Sequence, residues 1–360
     1  MTTKSLFAGL IGLTLLASQA FSQTWTQLTN APMLNWTAAA ASINGSNILV
    51  GNSVPSDLFG TTRGKLYLSY DAGNTWTNRS LPGAAWSAMT VSTNGQVMGA
   101  AGMNGRIYVS KDAGTNWTLS AAAKNNWSTL ASSKDGSTIF ATYKRTADAA
   151  FCVTTNYGTN WVNQEAPAPV PFTAAVISPD GSNILAAYAR GMYLTTNASA
   201  WAKLSVPTNA WTCLAAAQAP GYTNVSSLVV TNGTGTNAVV STNYTTNTWT
   251  IFTNLYAGCV PGQVYASTNS GSTWGVLTNS PTNAVSISCS LNGTVVAAAQ
   301  KLGSVYVSLD SGATWTSAGT NLPTTYWKSI QVSGTGSNFV AVSGTGSSHN
   351  SVGVIYRGTR

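Results

Sequence analysis

The chain has 360 residues, of which only 7% are charged, with 16 Lys and Arg against 8 Asp and Glu and a formal net charge of +8. A surface this poor in charge is dominated by Thr, Asn, Ser and Gly, and its positive balance comes from scarce acids, not from basic runs. The lack of a polybasic tract with interleaved aromatics argues against a nucleic-acid partner; a lone histidine, His349 in GTGSSHNSVG, argues against a metal or other cofactor.

Residues 1–22 combine Lys4, an apolar run from Leu6 to Ala17 and small residues at Ala20 and Ser22, the layout of a secretory signal peptide. The run is too short to span a bilayer. Residues 23–360 are therefore expected to be exported, to reach the periplasm, cell surface or exterior, and to insert stably in no membrane. One domain accounts for that length, and the chain is expected to act as a monomer.

The segment TWTQLTN around Trp25 reads as a strand with no local partner. From Trp36 onward one pattern recurs. A strand opens on an aromatic or apolar residue and runs towards a tight turn: WTAAAASING from Trp36, WSAMTVSTNG from Trp86, WSTLASSKDG from Trp127, FTAAVISPDG from Phe172, WTCLAAAQ from Trp211, AVSISCSLNG from Ala284 and WKSIQVSGTG from Trp327. Asn-Gly and Asp-Gly between strands mark hairpins. Further on comes a strand with an aromatic two residues ahead of Ser or Thr, at Tyr67, Tyr108, Tyr193, Tyr265 and Tyr306. A tract closing on tryptophan follows: SYDAGNTW to Trp76, SKDAGTNW to Trp117, TTNYGTNW to Trp161, STNSGSTW to Trp274 and SLDSGATW to Trp315, with looser copies at Trp201 and Trp249.

These tracts make physical sense as hairpin turns. Asp71, Asp112 and Asp310, or Asn156, Asn197 and Asn269, accept hydrogen bonds from backbone N–H groups two or more residues on, while Gly73, Gly114 or Gly312 takes a positive φ. The closing Trp covers the hairpin and buries on the order of 200 Å².

Such tracts after an aromatic strand resemble the Asp-box repeat of β-propellers; on that resemblance the seven inner strands count as seven blades, and the expected fold is all-β, a single seven-bladed β-propeller of four-stranded antiparallel blades. Runs such as Ala38 to Ala41 and Ala215 to Ala217 suit a crowded centre where only small side chains fit. The spacing from Trp211 to Trp274 is too long for one blade, so residues 218–249 read as an inserted hairpin in blade five, with an eighth, incomplete blade as the alternative. The last blade ends at GVIYRGTR without an outer strand. The Trp25 segment, pairing beside Tyr356, would supply it and close the ring without an exposed edge.

The tract S-x-D-x-G-x-T-W after an aromatic strand resembles the Asp-box, or BNR, repeat of β-propellers of the sialidase, sortilin and photosystem II assembly factor types. The resemblance spans nearly the whole mature chain. It implies a structural role for the box residues, a ligand-binding face away from the boxes and, in the single-propeller assembly-factor group, a binding or scaffold function. For sialidases it implies an arginine triad, an aspartate acid/base and a tyrosine activated by a glutamate. This chain reads NAPMLNW where the Arg-Ile-Pro signature is expected, and Glu165 is its only glutamate.

Basic residues recur just before the third strand of several blades: Arg63, Arg106, Lys144 with Arg145, Arg190 and Lys301. Equivalent repeat positions place them round one rim, suited to an anionic ligand on a glycan or protein partner. The rival reading is a glycan-active enzyme, a hydrolase or lyase, for which two facing carboxyl groups are needed. With Asp71, Asp112 and Asp310 in boxes and Asp135 and Asp180 in hairpin turns, its candidates are Asp57, Asp148 and Glu165. Among four cysteines, Cys152 stands where other blades carry tyrosine and reads as a small hydrophobe. Cys213, Cys259 and Cys289 leave room for one disulfide, Cys213 with Cys259 being favoured because both fall in one blade.

Overall fold

The computed structural model describes residues 23–53, 64–82, 85–144, 149–165, 167, 171–196, 198–218, 222–232, 239–249, 252–319, 322–344 and 353–360, with backbone only at Lys144, Ala149, Glu165 and within 218–249. Among these residues the chain is all strand and turn, and no helix is long and apolar enough to cross a membrane. The strands form seven four-stranded antiparallel sheets and one separate hairpin. In blade 1 they run from centre to rim as Trp36–Ala41, Ile48–Asn52, Leu66–Ser69 and Thr77–Arg79. Blades 2 to 6 repeat this around inner strands Ala85–Val91, Asn126–Ser132, Phe172–Ile177, Trp211–Gln218 and Ala284–Cys289.

Blade 7 takes Trp327–Val332, Asn338–Ser343 and Ile355–Thr359 from the end of the chain and its outer strand, Thr24–Gln27, from the beginning. Trp25 lies opposite Gly358 and Gln27 opposite Tyr356, so the ring closes as the sequence predicts, with seven blades and no eighth. Between the inner and second strands of blade 5, Tyr222–Asn232 and Val239–Trp249 pair only with each other. The looser repeat ending at Trp249 is thus no blade turn: it lies in the second strand of this hairpin.

The sheets are covered on both faces, so the two-residue alternation of a strand sorts side chains between two neighbouring blades, not between core and water. In blade 1, Ala39, Ile48 and Val50 pack towards blade 7, while Ala38, Ala40, Leu49, Leu66 and Leu68 pack towards blade 2. Seven such clusters fill the seven junctions between blades. At the head of five inner strands a fully buried Trp meets a Tyr of its own blade edge-on, as in Trp36 with Tyr67 and Trp211 with Tyr265, at centroid distances of 5.8 and 5.1 Å.

One end of the ring is built from turns that the repeat specifies locally. In the turn before the outer strand of blade 1, the Ser69 hydroxyl donates to Asp71 at 2.8 Å and accepts from the Gly73 N–H at 2.8 Å, while Asp71 accepts from the backbone and hydroxyl of Thr75 at 2.8 and 2.6 Å. Equivalent networks form at Ser110 with Asp112, Thr154 with Asn156, Ser267 with Asn269 and Ser308 with Asp310. Positive φ is not confined to the glycine: the residue before it is also left-handed, with Ala72 at 56° and Gly73 at 90°. The closing Trp residues at 76, 117, 161, 274 and 315 are half-buried and precede the outer strand instead of starting it. Asn197 lies outside the described residues.

The turns between inner and second strands lie at the same end. Asp135 and Asp180 occupy them, each accepting from a serine hydroxyl as Asn44, Asn94 and Asn292 do elsewhere. Backbone bonds stitch these turns into an arc: Leu291 N–H to Gly334 O, Gly334 N–H to Ile43 O, Ile43 N–H to Thr93 O, Thr93 N–H to Lys134 O and Lys134 N–H to Pro179 O. The arc stops at Pro179, which has no N–H to give, next to blade 5, where the hairpin replaces the tight turn.

All four thiols are free, which corrects the expected Cys213–Cys259 bridge. The two residues lie on adjacent strands but on opposite faces: Cys213 packs towards blade 6 and Cys259 towards blade 4, and a disulfide needs Cβ atoms that converge. Cys289 sits against the same cluster as Cys213 but at the far end of its strand, five residues or about 16 Å further along. Cys152 is fully buried in the junction between blades 2 and 3, as a small hydrophobe.

Candidate functional site

At the opposite end of the ring, all seven inner strands slip register just after the head residue, aromatic in six blades and Ala284 in blade 6, between residues 36 and 38, 86 and 88, 127 and 129, 172 and 174, 211 and 213, 284 and 286, and 327 and 329. A bulge leaves one residue unpaired and re-aims its side chain. The residues so re-aimed are Thr37, Ser87, Ser128, Thr173, Thr212, Val285 and Lys328.

Four of them staple neighbouring blades. Thr37 Oγ1 donates to Trp86 O at 2.6 Å, Ser87 Oγ to Trp127 O at 2.7 Å, Thr173 Oγ1 to Trp211 O at 2.8 Å and Thr212 Oγ1 to Ala284 O at 2.6 Å. Ser128 turns to Thr142 of its own blade. Val285 and Lys328 have no hydroxyl, so the junctions flanking blade 7 lack this staple. Indole N–H groups add a second one, from Trp86 to Gly64 O, Trp127 to Gly105 O and Trp327 to Gly303 O at 3.2, 3.1 and 3.0 Å.

Six of these residues, all but Val285, ring the mouth of the central channel, a cavity of about 240 Å³ in which Lys328 is the only charged lining residue among the described residues. It continues inwards past Met89, Leu130 and Ala175 into a second space of about 270 Å³. Small side chains alone do not fill the centre, as the alanine runs predict; Met89, Leu130, Leu214 and Ile287 line it beside Ala39 and Ala175. Desolvation among the blades, and secondarily the like charge of Lys301, hold the Lys328 ammonium below the usual lysine range. Lys301 lies on the neighbouring blade at the same end, in the loop that follows the strand Val296–Gln300.

Of the predicted rim, Arg106, Arg190 and Lys301 are exposed on loops between second and third strands, at the mouth end. Lys144 ends the strand Ile139–Lys144 at the same end. Arg63 and Arg145 lie outside the described residues, as do Asp57, Asp148 and His349. Glu165 ends the outer strand Val162–Glu165 of blade 3, opposite Ala150, and its side chain is outside the description. Lys65 and Lys124 add exposed cations at the mouth end.

Five of the eight acids, Asp71, Asp112, Asp135, Asp180 and Asp310, sit in turns at the other end. Hydrogen bonds from Thr75 hold Asp71 below the ordinary carboxylate range, and those from Asn116 do the same for Asp112; at Asp135 and Asp310, burial pulls upward but the turn hydrogen bonds outweigh it. Among the described residues, these five carboxylates are fixed at the turn end, where Lys111, Lys134 and Arg357 also lie, whereas Lys65, Arg106, Lys124, Arg190, Lys301 and Lys328 stand at the mouth end. Lys328 and the hydroxyl ring were not singled out from sequence, although the residue after each aromatic head, in WT, WS, WS, FT, WT and WK, carried the signal.

The fold and its site define a seven-bladed propeller with a cationic, hydroxyl-ringed channel mouth. Solved propellers match it over almost its full length. YCF48 bound to a D1 peptide is similar with a TM-score of 0.59 and 13% identity, covering 94% of each chain. YCF48 from Cyanidioschyzon merolae gives 0.61 and 13% over 93% of this chain and 98% of its own, and U3-55K 0.66 and 11% over 93% and 98%. At such identities the likeness is one of fold. No protein-family model and no curated protein matches the sequence.

Proposed function

We propose that this chain is an exported Asp-box propeller that acts as a binding module, capturing an anionic group of a protein or glycan partner at the channel mouth. The observation that carries the reading is the gathering of cations at one end: Lys328 lines the channel mouth, and Arg106, Arg190 and Lys301 are exposed on loops at the same end, with no ion pair to any of them among the described residues. A lysine open to solvent at a concave mouth can meet an incoming carboxylate, sulfate or phosphate directly. That YCF48 has been seen with a D1 peptide gives a precedent for peptide capture by this fold.

The test is a glycan and acidic-peptide array probed with the mature protein, with sialylated and sulfated sugars included, beside a fluorogenic sialidase assay. Binding should weaken at least tenfold in the double variant Lys301→Met, Lys328→Met and fall with added salt. Both lysines are exposed, so their replacement should leave Tm level and the loss would report binding. Affinity unchanged by the double variant would refute the mouth as the site. Turnover of the sialoside would establish the enzymatic alternative and direct attention to Asp57, Asp148 and Glu165.

A further inference from the structure

On the outer flank between blades 2 and 3 lies a groove of about 400 Å³, larger than either channel space, lined by Val109, Lys111, Leu119, Ser120, Tyr157 and Thr159, among others. Tyr157 is the anomaly in it. Its position in the repeated turn requires a left-handed backbone, and its φ is 58°. The equivalent positions in other blades carry Ala72, Ala113, Ala198, Ser270 and Ser311. The turn imposes this backbone in each of those blades, and a bulky aromatic is the unfavourable choice for it where small residues serve elsewhere.

Tyr157 does not offset that choice by burial, since it keeps 38% exposure and belongs to none of the seven clusters. The Lys111 ammonium lies over its ring, 5.5 Å from the centroid, and reaches Thr159 Oγ1 at 3.4 Å. An ammonium has three donors, so two remain uncommitted among the described residues. Leu119, 45% exposed, continues the apolar floor, and the hydroxyls of Thr118, Ser120 and Thr159 stand around it.

We infer that this groove is a lateral saccharide site, separate from the channel mouth, which takes an acidic sugar. The apolar face of the pyranose packs on Tyr157 and Leu119, its carboxylate meets Lys111 and its hydroxyls meet those of the rim. A saccharide fits the mixture better than an extended peptide does, because the outer strand here, Thr118–Leu119, offers only two residues for strand addition. Trigalacturonate is the probe, with maltotriose as its neutral counterpart, titrated by calorimetry and saturation-transfer NMR into the mature protein and into Tyr157→Gly and Lys111→Gln.

Trigalacturonate should bind more tightly than maltotriose. Tyr157→Gly should lose at least tenfold in affinity while its Tm stays level or rises, because glycine takes the left-handed backbone freely, and Lys111→Gln should remove the preference for the acid. Absence of trigalacturonate binding, binding unaffected by Tyr157→Gly, or a Tm that falls along with affinity would overturn the site. The double variant at Lys301 and Lys328 leaves this groove intact, so failure here and failure at the mouth are read separately.

Discussion

Ring closure by the first strand gives the sharpest test of how this propeller is held together. Trp25 is 4% exposed, packs on Phe339 at a centroid distance of 5.7 Å and lies so close to Gly358 that a Cβ there would meet its ring at 2.9 Å. Truncating a buried Trp to Ala costs about 3–5 kcal/mol. Its indole N–H, however, is buried without a partner, a defect of about 1–3 kcal/mol that leaves with the side chain. Taking the middle of each range, Trp25→Ala should therefore cost about 2 kcal/mol. Trp25→Phe, which keeps most of the apolar area and removes the orphan donor, should cost under about 1 kcal/mol or stabilise. At about 2.1 cal/mol/K per residue, a ring of this size unfolds with an entropy of roughly 0.7 kcal/mol/K, so Trp25→Ala should lower Tm by about 3 °C. Calorimetry of the three proteins, with hydrogen exchange to show that opening begins at blade 7, is the assay. A Phe variant as unstable as the Ala variant, or an Ala variant within 1 °C of the parent, would refute the reasoning.

Ser110→Ala leaves the buried Gly114 N–H without its acceptor at 2.8 Å, and should cost about 1–3 kcal/mol in urea unfolding, whereas Ser110→Thr should keep most of the stability, since Thr154 fills the same role in blade 3. Burial raises the thiols of Cys213 and Cys289 to about 12, so a thiol reagent at pH 8 should label neither until the protein is unfolded, and a reductant should leave Tm unchanged. Asp71, Asp112, Asp135 and Asp310 all titrate below their unfolded value near 3.8. Their contribution is thus fully present above about pH 5 and disappears as pH falls through the lowered folded values, so Tm should be flat from pH 5 to 7 and drop below pH 4.

What could be read in advance follows the range of the interactions. The turn at Ser69, Asp71 and Gly73 closes within a few residues, so its chemistry is written in adjacent letters. The head Trp of each inner strand, with the alternation behind it, fixes strand, blade count and ring closure, because a sheet covered on both faces admits no other use for such a run. The pairing of Cys213 with Cys259 failed for the opposite reason. Proximity in one blade was legible, but which face each thiol joins depends on the bulge between Trp211 and Cys213 and on the blades to either side.

The sequence by itself determined the repeat, the seven blades, the serine–aspartate turns and the scarcity of acids, all of them local or additive properties of the chain. Only the tertiary structure decided where those pieces face. Bulges turned six of the residues after the strand heads into one ring with Lys328 at its mouth, and the packing of blades set Tyr157 of one blade under Lys111 of another. These juxtapositions join residues tens to hundreds of positions apart, and they exist only once closure of the ring has fixed the angle between neighbouring blades.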